Sequence, residues 1–148
     1  MEEIQLYGVL SEAHRLFNIN QHLADWDLSP VEGKGLYVGG HTNYGHVQIK
    51  MYKSLDSNSK MIWNLTKDQL PDEWGAKKCI EDALRFFINY FEGIRGEGIS
   101  LIFEINDGSY HHVDSKGRNY ATATIYAIVD CFNKNAIEFK ESRLIRKA

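Results

Sequence analysis

Apolar and polar residues alternate with period two in several stretches of the chain, and each predicts a half-buried strand. The clearest is residues 44–52, where Val47, Ile49 and Met51 interleave with Gln48 and Lys50. Leu36, Tyr37 and Val38 precede it across a turn built from Gly39-Gly40-His41-Thr42-Asn43. Two strands joined by a glycine-bearing turn make a hairpin. Met61, Trp63 and Leu65 alternate in the same way after the polar run Leu55-Asp56-Ser57-Asn58-Ser59, and so do Ile99, Leu101, Phe103 and Ile105. Runs of strand formers at residues 4–10, 137–139 and 144–145 predict a first and a last strand. Between residues 29 and 35 a proline and two glycines, Gly33 and Gly35, predict a loop.

The helical period appears in the second half. Pro71 suits a first helical turn and Asp72 and Glu73 suit its positive end. Ala76, Ile80, Ala83, Leu84, Phe87, Ile88 and Phe91 then make one apolar face, with Gly93 and Gly96 as stop signals. A second helix is predicted over about residues 116–133, with Ala121, Thr124, Ile125, Ile128, Val129 and Phe132 inward. A weaker stripe of Leu16, Ile19, Gln21 and Leu23, interrupted by Asn18 and Asn20, predicts a short helix within residues 11–26. The order β-(α)-ββ-β-α-β-α-β, with strands and helices alternating only late, predicts an α+β two-layer sandwich rather than a doubly wound sheet. No internal repeat or long linker divides the 148 residues, so a single domain is expected.

Composition adds limits. Hydrophobic residues at 43% and charged residues at 25% are ordinary for a soluble globular domain. A net charge of −3 argues against a surface that grips phosphates everywhere, while leaving room for a local basic tip. The basic run Arg143-Leu144-Ile145-Arg146-Lys147 reads as a solvated tail. Cys79 and Cys131 lack CxxC spacing, so they predict two buried thiols in a reducing compartment rather than a zinc site. The acidic Met1-Glu2-Glu3-Ile4 start has no apolar stretch of a signal peptide, and no window is long enough to span a membrane. A cytoplasmic protein is expected.

Three motifs carry a family resemblance. Asp107-Gly108-Ser109-Tyr110-His111-His112-Val113-Asp114-Ser115 resembles a strand-to-helix motif in the fourth domain of elongation factor G. Gly39-Gly40-His41-Thr42-Asn43-Tyr44-Gly45-His46-Val47 is similar to that family's Gly-Gly-x-x-x-Tyr-Gly-His-Val. Pro71-Asp72-Glu73-Trp74 followed by Ile80-Glu81-Asp82-Ala83-Leu84 looks like its helix with a Pro-x-x-aromatic start. The three occur in the family's order within residues 32–134, and residues 1–30 fall mostly outside the match. The resemblance implies a free-standing copy of that domain. It also implies a mixed sheet with two helices on one face and a left-handed βαβ crossover, where topology rules alone predict a right-handed one.

The resemblance further implies a tip made of two adjacent loops, which in the family enters the decoding region of the small ribosomal subunit. The expected tip residues are Gly39, Gly40, His41, Thr42, Asn43, Tyr44, Ser109, Tyr110, His111, His112, Lys116 and Arg118. Glycines let backbone amides approach phosphates, aromatic rings and histidines stack on splayed bases, and Lys116 and Arg118 at a helix start favour an anion. His112 stands where the family has an acidic residue, Lys116-Gly117 replaces its Ser-acid continuation, and His41-Thr42-Asn43 replaces an Arg-Gly-Gln type of turn. The first two changes make the tip less acidic. An alternative reading has Asp114 or Ser115 merely capping the second helix.

Other chemistry finds less support. His41, His111 and His112 would be neighbours at this tip, but without a matching Cys or spaced carboxylate no metal is expected. Ser109, His111 and Asp114 lie too close together on one loop for triad geometry. No Gly-x-x-x-x-Gly-Lys-Ser/Thr run exists, so no nucleotide and no other cofactor is expected, and no enzymatic activity. The expected function is a binding module for the ribosome or RNA; the alternative is a protein-interaction role of immunity or antitoxin type on the same fold.

Overall fold

The structure, a computed structural model, describes residues 1–6, 12–39, 43–112 and 115–134. Its order is a 3-10 helix Ala13–Ile19, then α1 (Asn20–Asp25), β1 (Val31–Gly39), β2 (Asn43–Lys53), β3 (Lys60–Trp63), α2 (Ala76–Arg95), β4 (Leu101–Ser109) and α3 (Gly117–Phe132). The four strands form one mixed sheet in the order β1-β2-β4-β3. β1 and β2 are the expected antiparallel hairpin, with Gly39 opposite Asn43, and β2 pairs antiparallel with β4. β3 pairs parallel with β4, which makes β3-α2-β4 the βαβ crossover. The architecture is the expected α+β sandwich.

Alternation decides which face is covered. Val47, Ile49 and Met51 of β2 and Leu101, Phe103 and Ile105 of β4 are fully or almost fully buried under the helices. Gln48, Lys50, Ile102 and Glu104, with the opposite parity, lie on the uncovered face and are only partly buried. α2 presents Ala76, Ile80, Ala83, Leu84, Phe87 and Phe91 to the core, as its periodicity predicts. α3 is buried on nearly every side from Asn119 to Asp130, because β1, β2, α2 and the 3-10 helix all touch it.

Several boundaries differ from the expectation. β1 begins at Val31, so Gly33 and Gly35 lie inside a strand rather than a loop. A Cβ on Gly33 would sit 2.0 Å from the Ala127 carbonyl oxygen, and one on Gly35 would sit 1.8 Å from that of Ala123. The glycines are there because the α3 backbone rests on them. α2 starts at Ala76, not at Pro71: Gly75, at φ +70°, stands at its N-cap, so the preceding Pro71-Asp72-Glu73-Trp74 segment stays outside the helix. Gly93 lies within α2, and only Gly96 ends it, at φ +71° with its N–H on the Glu92 carbonyl.

Residues 4–6 form no strand; 7–10, the rest of that predicted strand, lie outside the described residues, as do the predicted last strand and the basic run at 143–147. The N-terminal helical stripe is present, but begins as a 3-10 helix. Its Leu16, Ile19 and Leu23 are fully buried in the same core cluster as the sheet, whereas Gln21 is exposed and donates to Asp25. Neither cysteine is fully buried as a residue, although Cys131 Sγ lies close against Gly33 and burial pushes its thiol pKa up.

Candidate functional site

The end of the sheet where β1 meets β2 is also where β4 hands over to α3. Asn43 opens β2 and its Nδ2 donates to the Gly39 carbonyl (2.8 Å), which holds the hairpin end. Tyr44 then makes an isolated parallel bridge to Ser115, so the two motif segments touch through their backbones. The Tyr44 ring stacks on His111, with centroids 4.1 Å apart and planes 18° from parallel. The Tyr44 hydroxyl lies 2.7 Å from Ser109 Oγ, and His46 Nδ1 lies 2.8 Å from the same oxygen.

Local features bring this about. Where Gln48 faces Asp107 and Ile49 faces Ile105, Asn106 is an extra residue, a bulge that re-aims the end of β4. Beyond it, Gly108 faces the core, with Leu65 Cδ1 and the His46 carbonyl only 3.0 and 3.1 Å from where a Cβ would stand. Ser109 consequently points to the open side. Residues 111 and 115 close on each other: His111 N–H donates to Ser115 Oγ (2.8 Å) and Ser115 N–H donates to the His111 carbonyl (3.0 Å).

α3 anchors the pair of loops from beneath. Tyr120, fully buried, donates to the Ser109 carbonyl (2.8 Å) and contacts Ser115 Oγ (3.1 Å); burial raises its pKa to about 12, so it stays a donor. The Asn119 amide, oriented to satisfy its neighbours, accepts from the Tyr44 and Lys116 N–H groups (3.2 Å each) and donates to Asn43 Oδ1 (3.1 Å). A Cβ on Gly45 would stand 2.7 Å from the Asn119 carbonyl, so the strand needs glycine there. Trp74 packs against Tyr110 at 5.3 Å between centroids, and its carbonyl oxygen would lie 2.3 Å from a Cβ on Gly117.

Of the expected tip residues, Gly39, Asn43, Tyr44, Ser109, Tyr110, His111, His112, Lys116 and Arg118 are described and gather at this end. Gly40, His41 and Thr42 lie outside the described residues, as do Val113 and Asp114. His111, His112 and Arg118 are exposed, while Tyr110 is half-buried against Trp74. Ser115 is not a helix cap: Lys116 holds the N-cap position without a side-chain bond, and Ser115 is buried with its hydroxyl between His111 and Tyr120. Trp74, Asn119 and Tyr120 were missed as supports of the tip. Trp74 did have a signal, as the aromatic of the Pro-x-x-aromatic motif.

No family model matches the chain. Curated relatives named elongation factor G do: those of Ureaplasma parvum serovar 3 and Ureaplasma urealyticum serovar 10 are 28% identical over 137 residues, which is 86% of this chain. That of Petrotoga mobilis is 24% identical over 154 residues, 90% of this chain. The chain spans about a fifth of the length of each of these relatives (20% and 21%). A solved crystal structure from Thermus thermophilus superposes with a TM-score of 0.58 at 22% identity, over 72% of this chain and 16% of that one. Sequences named elongation factor G thus cover most of this chain, as its three motifs implied, and its fold recurs in a solved structure.

Proposed function

We propose that this chain acts as a non-enzymatic binding module that touches ribosomal or ribosome-bound RNA with its two-loop tip. The observation that carries this reading is the Tyr44–His111 stack, which joins the two motif segments at one end of the molecule. Aromatic and imidazole planes there offer stacking surfaces for unpaired bases. Exposed Arg118 and the partly exposed Lys116 bring positive charge to the same end, beside the uncapped start of α3, whose N–H groups favour an anion. The resemblance to elongation factor G supplies the ribosome as the place to look for that RNA.

Cosedimentation with purified small ribosomal subunits tests the reading. The wild-type chain should pellet with the subunits, and a His111→Ala, Lys116→Ala double variant should pellet about tenfold less, matching the loss of one stacking contact and one phosphate contact. Wild type that stays in the supernatant, or a double variant that pellets equally well, defeats it. Recovery of a stoichiometric protein and no RNA from the native cell would replace it with a protein-interaction role.

A further inference from the structure

His46 belongs to the upstream motif yet has no part in the contact just described. It lies on the open face of the sheet, opposite Leu36 of β1 and Ser109 of β4. Its Nδ1 reaches Ser109 Oγ at 2.8 Å, and that oxygen in turn reaches the Tyr44 hydroxyl at 2.7 Å. Its Nε2 is buried and meets no partner among the described residues.

A serine hydroxyl has one proton to give and can accept two bonds; were Tyr44 and His46 both to donate to it, its own proton would have no acceptor among the described residues, so the chain of bonds runs in one direction. If Tyr44 donated to Ser109 and Ser109 to His46, the imidazole proton would sit on Nε2, a buried donor with nothing to receive it. In the other direction His46 Nδ1–H donates to Ser109, Ser109 donates to the Tyr44 oxygen, and only a lone pair on Nε2 goes unmet. Orphaned buried N–H groups are rarer in folded proteins than under-used acceptors, which favours the second direction.

We propose that His46 is a positioning residue: held as its neutral Nδ1–H tautomer, it orders Ser109 and through it Tyr44 against His111, leaving the Tyr44 O–H proton to be given to a phosphate oxygen of the bound RNA. The identity of that acceptor rests on the RNA reading above; the internal order does not. Charge agrees with the geometry. A second proton would place an N–H on the unpartnered Nε2, and burial first and then the Lys34 ammonium hold the His46 pKa below its ordinary 6.5, with Asp107 pulling the other way. The neutral state therefore prevails above pH 6.5, and the stability it contributes is lost as pH falls through the lowered pKa of the folded protein.

Histidine-ring nitrogen NMR of the full chain at neutral pH should show His46 protonated at Nδ1 and bare at Nε2. The His111 ring protons should be shifted upfield by the Tyr44 ring. His46→Leu should abolish that shift, and Ser109→Ala should do the same if the leucine variant fails to fold. His46→Asn, whose amide can donate from near the Nδ1 position, should retain it. In subunit sedimentation the leucine variant should bind about tenfold more weakly than wild type, a loss of about 1.4 kcal/mol, and the asparagine variant close to wild type. A proton found on Nε2, or a His111 shift that survives Ser109→Ala in a folded protein, overturns the proposal. A wild type that never sediments defeats the ribosome reading instead, and the tautomer and ring shifts still decide this one.

Discussion

Where α3 crosses the hairpin, three glycines set the distance between helix and sheet. Gly33, Gly35 and Gly45 meet the carbonyl oxygens of Ala127, Ala123 and Asn119, residues one helical turn apart along a single stripe of α3. A methyl group on any of them would enter backbone, which cannot turn aside as a flexible side chain can. Gly35→Ala should therefore destabilise the fold by about 3 kcal/mol through overpacking. Gly93 gives the opposite case, since a Cβ there meets nothing within 4 Å and the residue is inside a helix. Gly93→Ala should stabilise by about 0.5–1 kcal/mol. Urea unfolding followed by circular dichroism measures both, and effects of the same sign would refute the packing account. The sequence shows only that these residues are glycines. What each one approaches lies far along the chain, so Gly33 and Gly35 passed for loop punctuation.

At the level of elements, legibility followed how many sides of each element are covered. α2 faces the core with one stripe only, so Ile80, Leu84, Phe87 and Phe91 announced it by their spacing. Its start was misplaced because Pro71, Asp72 and Glu73 satisfy every local rule for a first turn. The decision is made instead by Gly75 in the left-handed region and by the contacts of Trp74 with Tyr110 and Gly117. α3 was found, and Ala121, Thr124, Ile125, Ile128 and Val129 are buried as expected; the burial of its other sides was not read, since an element buried all round has little period to show. The two loops of the tip were legible through the motif resemblance alone; their joint, Tyr44 on His111, could not be read from either segment by itself. The weak stripe at 11–26 proved to be core. Leu23 is fully buried, and Arg95 holds α1 by donating to the Leu23 and Trp26 carbonyls (3.1 and 2.7 Å). Leu23→Ala should cost about 2–5 kcal/mol, the range for emptying a buried leucine site. Exposed Gln21→Ala should stay within about 0.5 kcal/mol of wild type. If thermal melts separate the two by less than that, residues 11–26 are an appendage and not part of the cooperative unit.

At the scale of the whole molecule, the RNA reading proposed above calls for a narrow contact. The chain carries −3 overall, so under the RNA reading proposed above attraction would be local, and the described end where β1, β2, β4 and α3 meet offers cations for it. Lys116 and Arg118 are there, while Lys60 stands at the start of β3, paired with Asp56 at 2.8 Å and aligned with Ile102 near the other end of the sheet. Counterion release makes each phosphate contact worth a slope of about −0.7 to −0.9 in log affinity against log salt. Two tip cations then predict a total slope between about −1 and −2, far shallower than the roughly −4 to −9 of a protein that makes about six to ten phosphate contacts along its length. Lys116→Ala and Arg118→Ala should each flatten the slope by about one, and Lys60→Ala should leave it alone. Sedimentation or fluorescence anisotropy over a salt series would resolve the three. A slope that ignores both tip changes, or answers equally to Lys60, would mean that the partner is met elsewhere on the surface. Stacking at Tyr44 and His111 would then have to be reassigned to holding the two loops together.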